Sequence, residues 1–346
     1  MWTRHAIVLL GLLGSVAAAT AQNFRIDDVS SATGMDLAQL KPGRIAFSDH
    51  AGGNAADSES YLIRFEDWAN KYPNQKKFLA LFPGFTEPGA SKPASGGDPD
   101  PSSGKFYMYI AQARFILDRA PGTIDLSRYV TLPFLEKIDP SVKHALINAA
   151  DVAPYRPDIS APNDDPDRKW CTGRATSICI QSTYKLEGKI PIGIMLVNKL
   201  RDSAKKIADH IDFESELSAL APADTDQPGV QQLTALDTPV AGVLEQNIFY
   251  VNELMRFGKF FAVFQSHPAD PGKTVVTAFM AIGIDAGVLD KKREYENVPV
   301  VRNLVPAQVL MGQSSFNSGN SISAGLPKYA RNEIAMLAGI LERDTK

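Results

Sequence analysis

The stretch that most limits what this chain can become is Lys273 to Ile284, KTVVTAFMAIGI, which carries one charge in twelve residues. Its β-branched and aromatic side chains favour a strand. Apolar residues fall on both of its alternating faces, so the strand belongs in the interior of a sheet covered on two sides. Glu245 to Leu254 and Lys259 to Ser266 read as two more strands. The turns between them fall at Arg256-Phe257-Gly258 and at His267 to Gly272. Leu244 to Ile284 is therefore expected to form an antiparallel meander.

The flanking segments predict the rest. Ser177 to Leu186 alternates like a strand. Ile192 to Leu220 carries apolar residues at three- and four-residue intervals, which predicts a long helix. Ala221 to Val240 reads as a polar linker. Pro327 to Glu342 predicts an amphipathic helix that starts at its proline. Val298 to Leu310 is expected to add a strand. Before this region the pattern is mixed. Tyr61 to Trp68 suggests a short helix, Lys77 to Phe82 a buried strand or helix end, and Phe106 to Leu117 strong order. Leu132 to Ala149 predicts one or two helices, with Asp139-Pro140-Ser141 as a start signal. Thr86 to Lys105 and Asp151 to Lys169 are rich in proline and polar residues and read as loops. The predicted organisation is residues 1–21 as a signal peptide and 22–150 as a mixed region. Residues 151–176 would be an irregular linker, and 177–346 an α+β region.

The first 21 residues combine Arg4 and His5, the apolar run Ala6 to Val16, and small residues Ala19-Thr20-Ala21. That is the pattern of a secretory signal peptide cleaved before Gln22. The apolar run is too short to span a bilayer, which takes ~20 residues. The expected product is soluble and either secreted or periplasmic, with no stable membrane anchor. The net charge is −3 for 346 residues, and one unit more negative without Arg4. A slightly acidic chain argues against nucleic acid as the main partner. Apolar residues at 44% and charged residues at 22% allow a well-buried core.

Cys171 and Cys179 are the two cysteines. In an oxidising compartment they predict a disulfide that constrains the unfolded chain by roughly 2–3 kcal/mol. Their spacing is not that of a zinc site. No motif points to a cofactor or metal. The acidic run Asn163 to Asp167 lacks the ligand spacing and glycine of a calcium loop. Two Ser-x-x-Lys matches, Ser102 to Lys105 and Ser203 to Lys206, come without the K-T-G element that such chemistry needs.

Candidate site residues fall in two places. His267 ends a strand beside Asp270 and could act as a general base. The Ser/Asn-rich loop Gln313 to Gly325 offers Ser321 as a nucleophile to go with them. Gln265, Asn317, Asn320 and Ser321 are the candidate ligand contacts. His50 follows Asp49 in a glycine-rich turn, while His144 and His210 fall on predicted helices as surface or boundary residues.

The order strand, long helix, antiparallel strands and final amphipathic helix over residues 175–346 resembles the helix-grip fold of lipid-transfer (START-like) and polyketide-cyclase-like proteins. The resemblance implies an α+β fold, a curved antiparallel sheet wrapped around the C-terminal helix. It implies a cavity for a lipid or other small hydrophobic ligand, with Phe249, Val251, Phe261, Val263, Phe279 and Leu337 as its apolar members. The alternatives are an extracytoplasmic hydrolase using His267, Asp270 and Ser321, and a structural or interaction protein of the cell envelope. N-terminal sequencing of protein purified from an export-competent host should begin at Gln22. Material that begins at Met1, with both thiols free, would overturn the assignment to an oxidising compartment.

Overall fold

The computed structural model describes residues 24–49, 63–64, 106–140, 142–151, 171, 176–185, 210–250, 255–285 and 322–344. Ten strands form one sheet: β1 Arg25–Asp28, β2 Arg44–Asp49, β3 Ile63–Arg64, β4 Phe106–Leu117, β5 Val142–Leu146, β6 Ser177–Lys185, β7 His210–Leu220, β8 Val240–Tyr250, β9 Met255–His267 and β10 Asp270–Asp285. Their order is β1-β2-β4-β10-β9-β8-β7-β6-β5, with β3 beside β4. β1 and β2 are parallel, and the other pairs are antiparallel. The meander runs from β5 to β10. β4 then closes on β10 in register from Thr274↔Leu117 to Asp285↔Phe106. Strands from the first 150 residues thus belong to the same sheet as those that follow.

Among the described residues three α-helices accompany the sheet: α1 Leu132–Ile138, α2 Gln227–Thr234 and α3 Ile322–Arg343. α3 lays Leu326, Ala330, Ile334, Ala338 and Leu341 against one sheet face. Their spacing of three and four residues makes one ridge. Phe47, Tyr109, Phe115, Phe264, Val276 and Met280 face it from the sheet, and Phe134 and Leu135 of α1 join the same cluster. Arg331 fixes the helix by a 2.6 Å contact to Asp28 and by lying 4.2 Å from the Phe47 ring centre. A sheet packed on a C-terminal helix is what the helix-grip resemblance implied.

The second face of the sheet is buried too, and it mixes apolar residues such as Ile110, Val263 and Val275 with polar ones. Gln112, Arg114, Glu214, Glu216, Glu245, Asn247, Lys259, Gln265 and Thr277 are all buried there. Lys259 donates to Asn247 Oδ1 at 2.8 Å. Arg114 donates to Thr277 Oγ1 at 3.2 Å, to the Thr33 carbonyl at 3.1 Å and to the Thr234 carbonyl. One guanidinium therefore ties the N-terminal segment and α2 to the central strands. Cys171 and Cys179 are joined as a disulfide with Cα atoms 5.5 Å apart.

Several elements differ from the sequence expectations. His210–Leu220, read as the end of a long helix, is β7. Pairing with β6 and β8 overrides the local helical spacing, and period-two alternation sends Leu217 and Ala219 to the core and Glu214 and Glu216 to the polar face. The rest of Ile192 to Leu220 lies outside the described residues. Within Leu132 to Ala149, α1 is followed by strand β5. Asp139-Pro140-Ser141 stops a helix, because the residue before proline is pushed out of the helical region; Asp139 has φ −131° and ψ 96°. Ala221 to Val240 is not all linker, since Asp226 caps α2 by accepting from Gly229 N at 3.2 Å. Arg256-Phe257-Gly258 is strand, not turn. Gly258 serves close approach instead: a Cβ there would sit 2.9 Å from Ile248 Cδ1 on the neighbouring strand. α3 begins at Ile322 and not at Pro327. Of Tyr61 to Trp68 only Ile63–Arg64 is described, as strand. The signal peptide, Lys77 to Phe82, Val298 to Leu310, and the Ser/Asn-rich loop up to Ser321 lie outside the described residues.

Replacing Arg114 with Leu would strand two buried acceptors and one partly buried one and should lower stability by about 3 kcal/mol. Arg114→Lys should lose less. Urea unfolding of both variants measures this, and a loss below about 1 kcal/mol for the leucine variant would contradict the tethering role.

Candidate functional site

A cavity of about 110 Å³ lies between the helix-covered face of β7 to β10, α1, β5 and α3. Leu135 and Ile138 of α1, Leu217, Leu244, Phe260 and Met280 of the sheet, and Ile334 and Leu337 of α3 supply its apolar wall. It opens where α3 presents a second ridge: Tyr329, Glu333 and Leu337, four residues apart, all border the space. Phe260 and Tyr329 meet edge to face at 6.5 Å.

Polar groups border the same space. Asp139, at the stop of α1, His144 of β5, Glu245 and Gln246 of β8, and Glu333 of α3 are among its lining residues. β5 and β6 pair His144 with Ser182, and His144 Nδ1 lies 2.8 Å from Ser182 Oγ. Ser182 is fully buried, so it orients the ring and is not placed to attack a substrate. Gln246 Nε2 donates to Ser215 Oγ at 3.0 Å. His144 Nε2 is buried and has no hydrogen-bond partner among the described residues.

Burial sets the charge state of this wall. Desolvation, reinforced by the Asp139 charge, pushes the Glu333 carboxyl up to about 8. Desolvation lowers the His144 pKa, with Glu136 and Asp139 pulling the other way. At neutral pH Glu333 therefore keeps its proton and can donate a hydrogen bond, and His144 is uncharged. Among the described residues no three His, Cys, Asp or Glu side chains gather as a metal site.

The residues singled out in the sequence fall elsewhere or partly here. Phe261, Phe279 and Leu337 border the cavity. Phe261 and Phe279 also pack on each other across the strands at 6.0 Å. Val263 is fully buried away from it. Phe249 lies on β8, and Val251 is outside the described residues. Gln265 is buried and donates to the Leu236 and Thr238 carbonyls at 2.9 and 2.8 Å, holding the α2–β8 connection. His267 Nδ1 accepts from Ala269 N at 3.2 Å. Asp270 accepts from Gly272 N at 3.1 Å and lies 3.3 Å from Lys273 Nζ. Both serve the β9–β10 turn. Asn317, Asn320 and Ser321 are outside the described residues.

His144, Asp139 and Glu333 escaped the sequence reading. The sequence puts His144 on a helix as a surface or boundary residue; it is partly buried, on strand β5, and the signal for the strand is the alternation of Val142 and His144 with exposed Lys143 and Ala145. For Glu333 the signal is an acid midway between Tyr329 and Leu337.

No protein-family model matches the chain, and no curated protein matches it. Among solved structures it is similar to the Zhui aromatase/cyclase from Streptomyces sp. R1128, with 9% identity, a TM-score of 0.31, and 68% of this chain and 93% of that chain covered. It is also similar to norcoclaurine synthase from Thalictrum flavum in complex with dopamine and hydroxybenzaldehyde, with 8% identity, a TM-score of 0.28, and 72% and 96% covered. A Deinococcus radiodurans protein matches at 10% identity and a TM-score of 0.23, covering 49% of this chain and 79% of its own.

The raised pKa of Glu333 has a stability consequence. A carboxyl that holds its proton more tightly folded than unfolded loses stability as pH rises from the usual carboxylate range through about 8. Glu333→Gln should therefore gain on the unsubstituted protein with rising pH, by up to about 4 kcal/mol between pH 5 and 9. Urea unfolding across that range checks it, and a flat difference would show that Glu333 is well solvated.

Proposed function

We propose that this protein is an exported binding protein for a small hydrophobic molecule, held between the sheet and α3. The observation that carries the reading is the cavity itself, apolar over most of its wall, with a few polar groups at one side. That is the usual form of a small-ligand site. Its size, about 110 Å³, is a little below the ~150 Å³ of an engineered cavity that takes benzene. The occupant is accordingly a short alkyl or ring-sized apolar group.

Export is supported by the leading segment and by the Cys171–Cys179 disulfide, which suits an oxidising compartment. No helix among the described residues is long and apolar enough to cross a membrane. The hydrolase reading has its two described members, His267 and Asp270, hydrogen-bonded within their own turn, so binding is the function put forward.

Two measurements test it. Solvent extraction of the purified protein, followed by mass spectrometry, should release an apolar small molecule. Ligand-observed NMR should show saturation transfer from the emptied protein to hexanol. Leu337→Trp, which fills the space from α3, should cut that transfer at least tenfold while the circular dichroism is unchanged. Transfer that survives the substitution undiminished, with nothing extracted, would overturn the reading.

A further inference from the structure

We infer that the preferred ligand joins its apolar body to a cationic head, a primary or secondary amine, and that Glu333 and Asp139 receive that head. The inference rests on the cavity reading and names its ligand class. Three observations meet at one end of the cavity. Asp139 and Glu333 approach from different elements, the stop of α1 and the middle of α3, and both border the space. They are close enough for the charge of one to shift the other. Glu333 is partly buried and makes no hydrogen bond among the described residues, so its carboxyl is an unused acceptor at the cavity wall. His144, whose Nε2 is buried and without a partner among the described residues, lines the same cavity.

A carboxylate ligand would set its own charge against Asp139 in a poorly solvated space, where like charges repel strongly. An ammonium would do the reverse. It would draw the proton off Glu333 and form a charge-assisted contact with it, while Asp139 adds attraction. His144 adds no opposing charge at neutral pH, because burial holds it neutral. The other polar residues bordering the cavity are Glu245 and Gln246 of β8 and Tyr329 on α3, and none of them is cationic.

Binding of the amine is then linked to loss of the Glu333 proton. An alkylammonium keeps its charge up to about pH 10, as a lysine does. Affinity for it should therefore rise as pH passes from about 6.5 to about 9, across the Glu333 titration near 8.

The test uses hexylamine, hexanol and hexanoate, which share one tail, with affinities from NMR titration of the full protein at several pH values. At about pH 8.5 hexylamine should bind at least tenfold tighter than hexanoate. Its affinity should climb with pH while that of hexanol stays level. Glu333→Gln should lower hexylamine affinity about tenfold more than it lowers hexanol affinity, with an unchanged circular dichroism spectrum reporting that the variant is folded. Hexanoate binding as tightly as hexylamine, or a hexylamine affinity that is flat with pH in the unsubstituted protein, would overturn the amine preference and leave the cavity reading standing. Failure of all three to bind would remove the cavity reading itself.

Discussion

The pairing of β4 with β10 is the constraint on which the rest depends. It joins segments more than 150 residues apart along twelve partner positions. Closing so long a loop costs entropy before any contact repays it. Repayment comes from burial: Met108 to Leu117 and Thr274 to Gly283 are buried throughout. Once β10 is fixed between β4 and β9, short connections set the order of the meander. α3, which follows β10 in the chain, comes back over the sheet face that β4 has completed. Its sheet contacts are chiefly with β4, β1 and β2. Ala330 and Ala338 of α3, with Ala111 and Ala113 of β4, share that core, and small side chains let backbones come close. Toward β5 the neighbours are larger, among them Phe134, Phe213, Phe260 and Tyr329, and the helix and sheet enclose a gap there. The cavity follows from this gradient of side-chain size.

The second face of the sheet departs from what a covered sheet usually shows. Two buried faces normally mean two apolar faces. Here the second carries buried arginine, lysine, glutamates and amides. Each such group costs several kcal/mol unless it is satisfied. Arg114 shows how the cost is met: burial lowers its pKa to about 10, which still leaves it charged at neutral pH, and the Thr33 and Thr234 carbonyls and the Thr277 hydroxyl take its protons. A network of this kind specifies one arrangement of the covering segments more sharply than an apolar contact would.

The strongly patterned parts of the fold were legible in the sequence. The strand at Lys273 to Ile284 could not have been placed anywhere but a covered interior, and Pro327 to Glu342 has one apolar stripe wide enough for one purpose. What escaped depends on long-range contacts. β7 carries glutamates at alternate positions that a sequence reading assigns to solvent; only pairing with β6 and β8 inside a covered sheet makes them buried strand residues. Gly258 looks like a turn signal because glycine is read locally, whereas its reason is Ile248 on the adjacent strand. His144 was hidden by the same misreading that made Asp139-Pro140-Ser141 a helix start. Taken as a stop, those three residues place a strand next, and the histidine falls on its core-facing side.

That stop also determines the electrostatics of the cavity. Burial acts on His144 and Glu333 in opposite directions, lowering one pKa and raising the other, and both shifts discharge the group. The apolar space therefore favours two neutral side chains over an ion pair, as expected where desolvation exceeds the attraction regained. Asp139 then contributes the charge that acts on both of them, raising each pKa. It stands at the cavity because Pro140 prevents α1 from continuing and turns the chain into β5. A backbone restriction, read from two adjacent residues, thus fixes the sign of the potential inside a site assembled from five strands and helices that lie far apart in the chain.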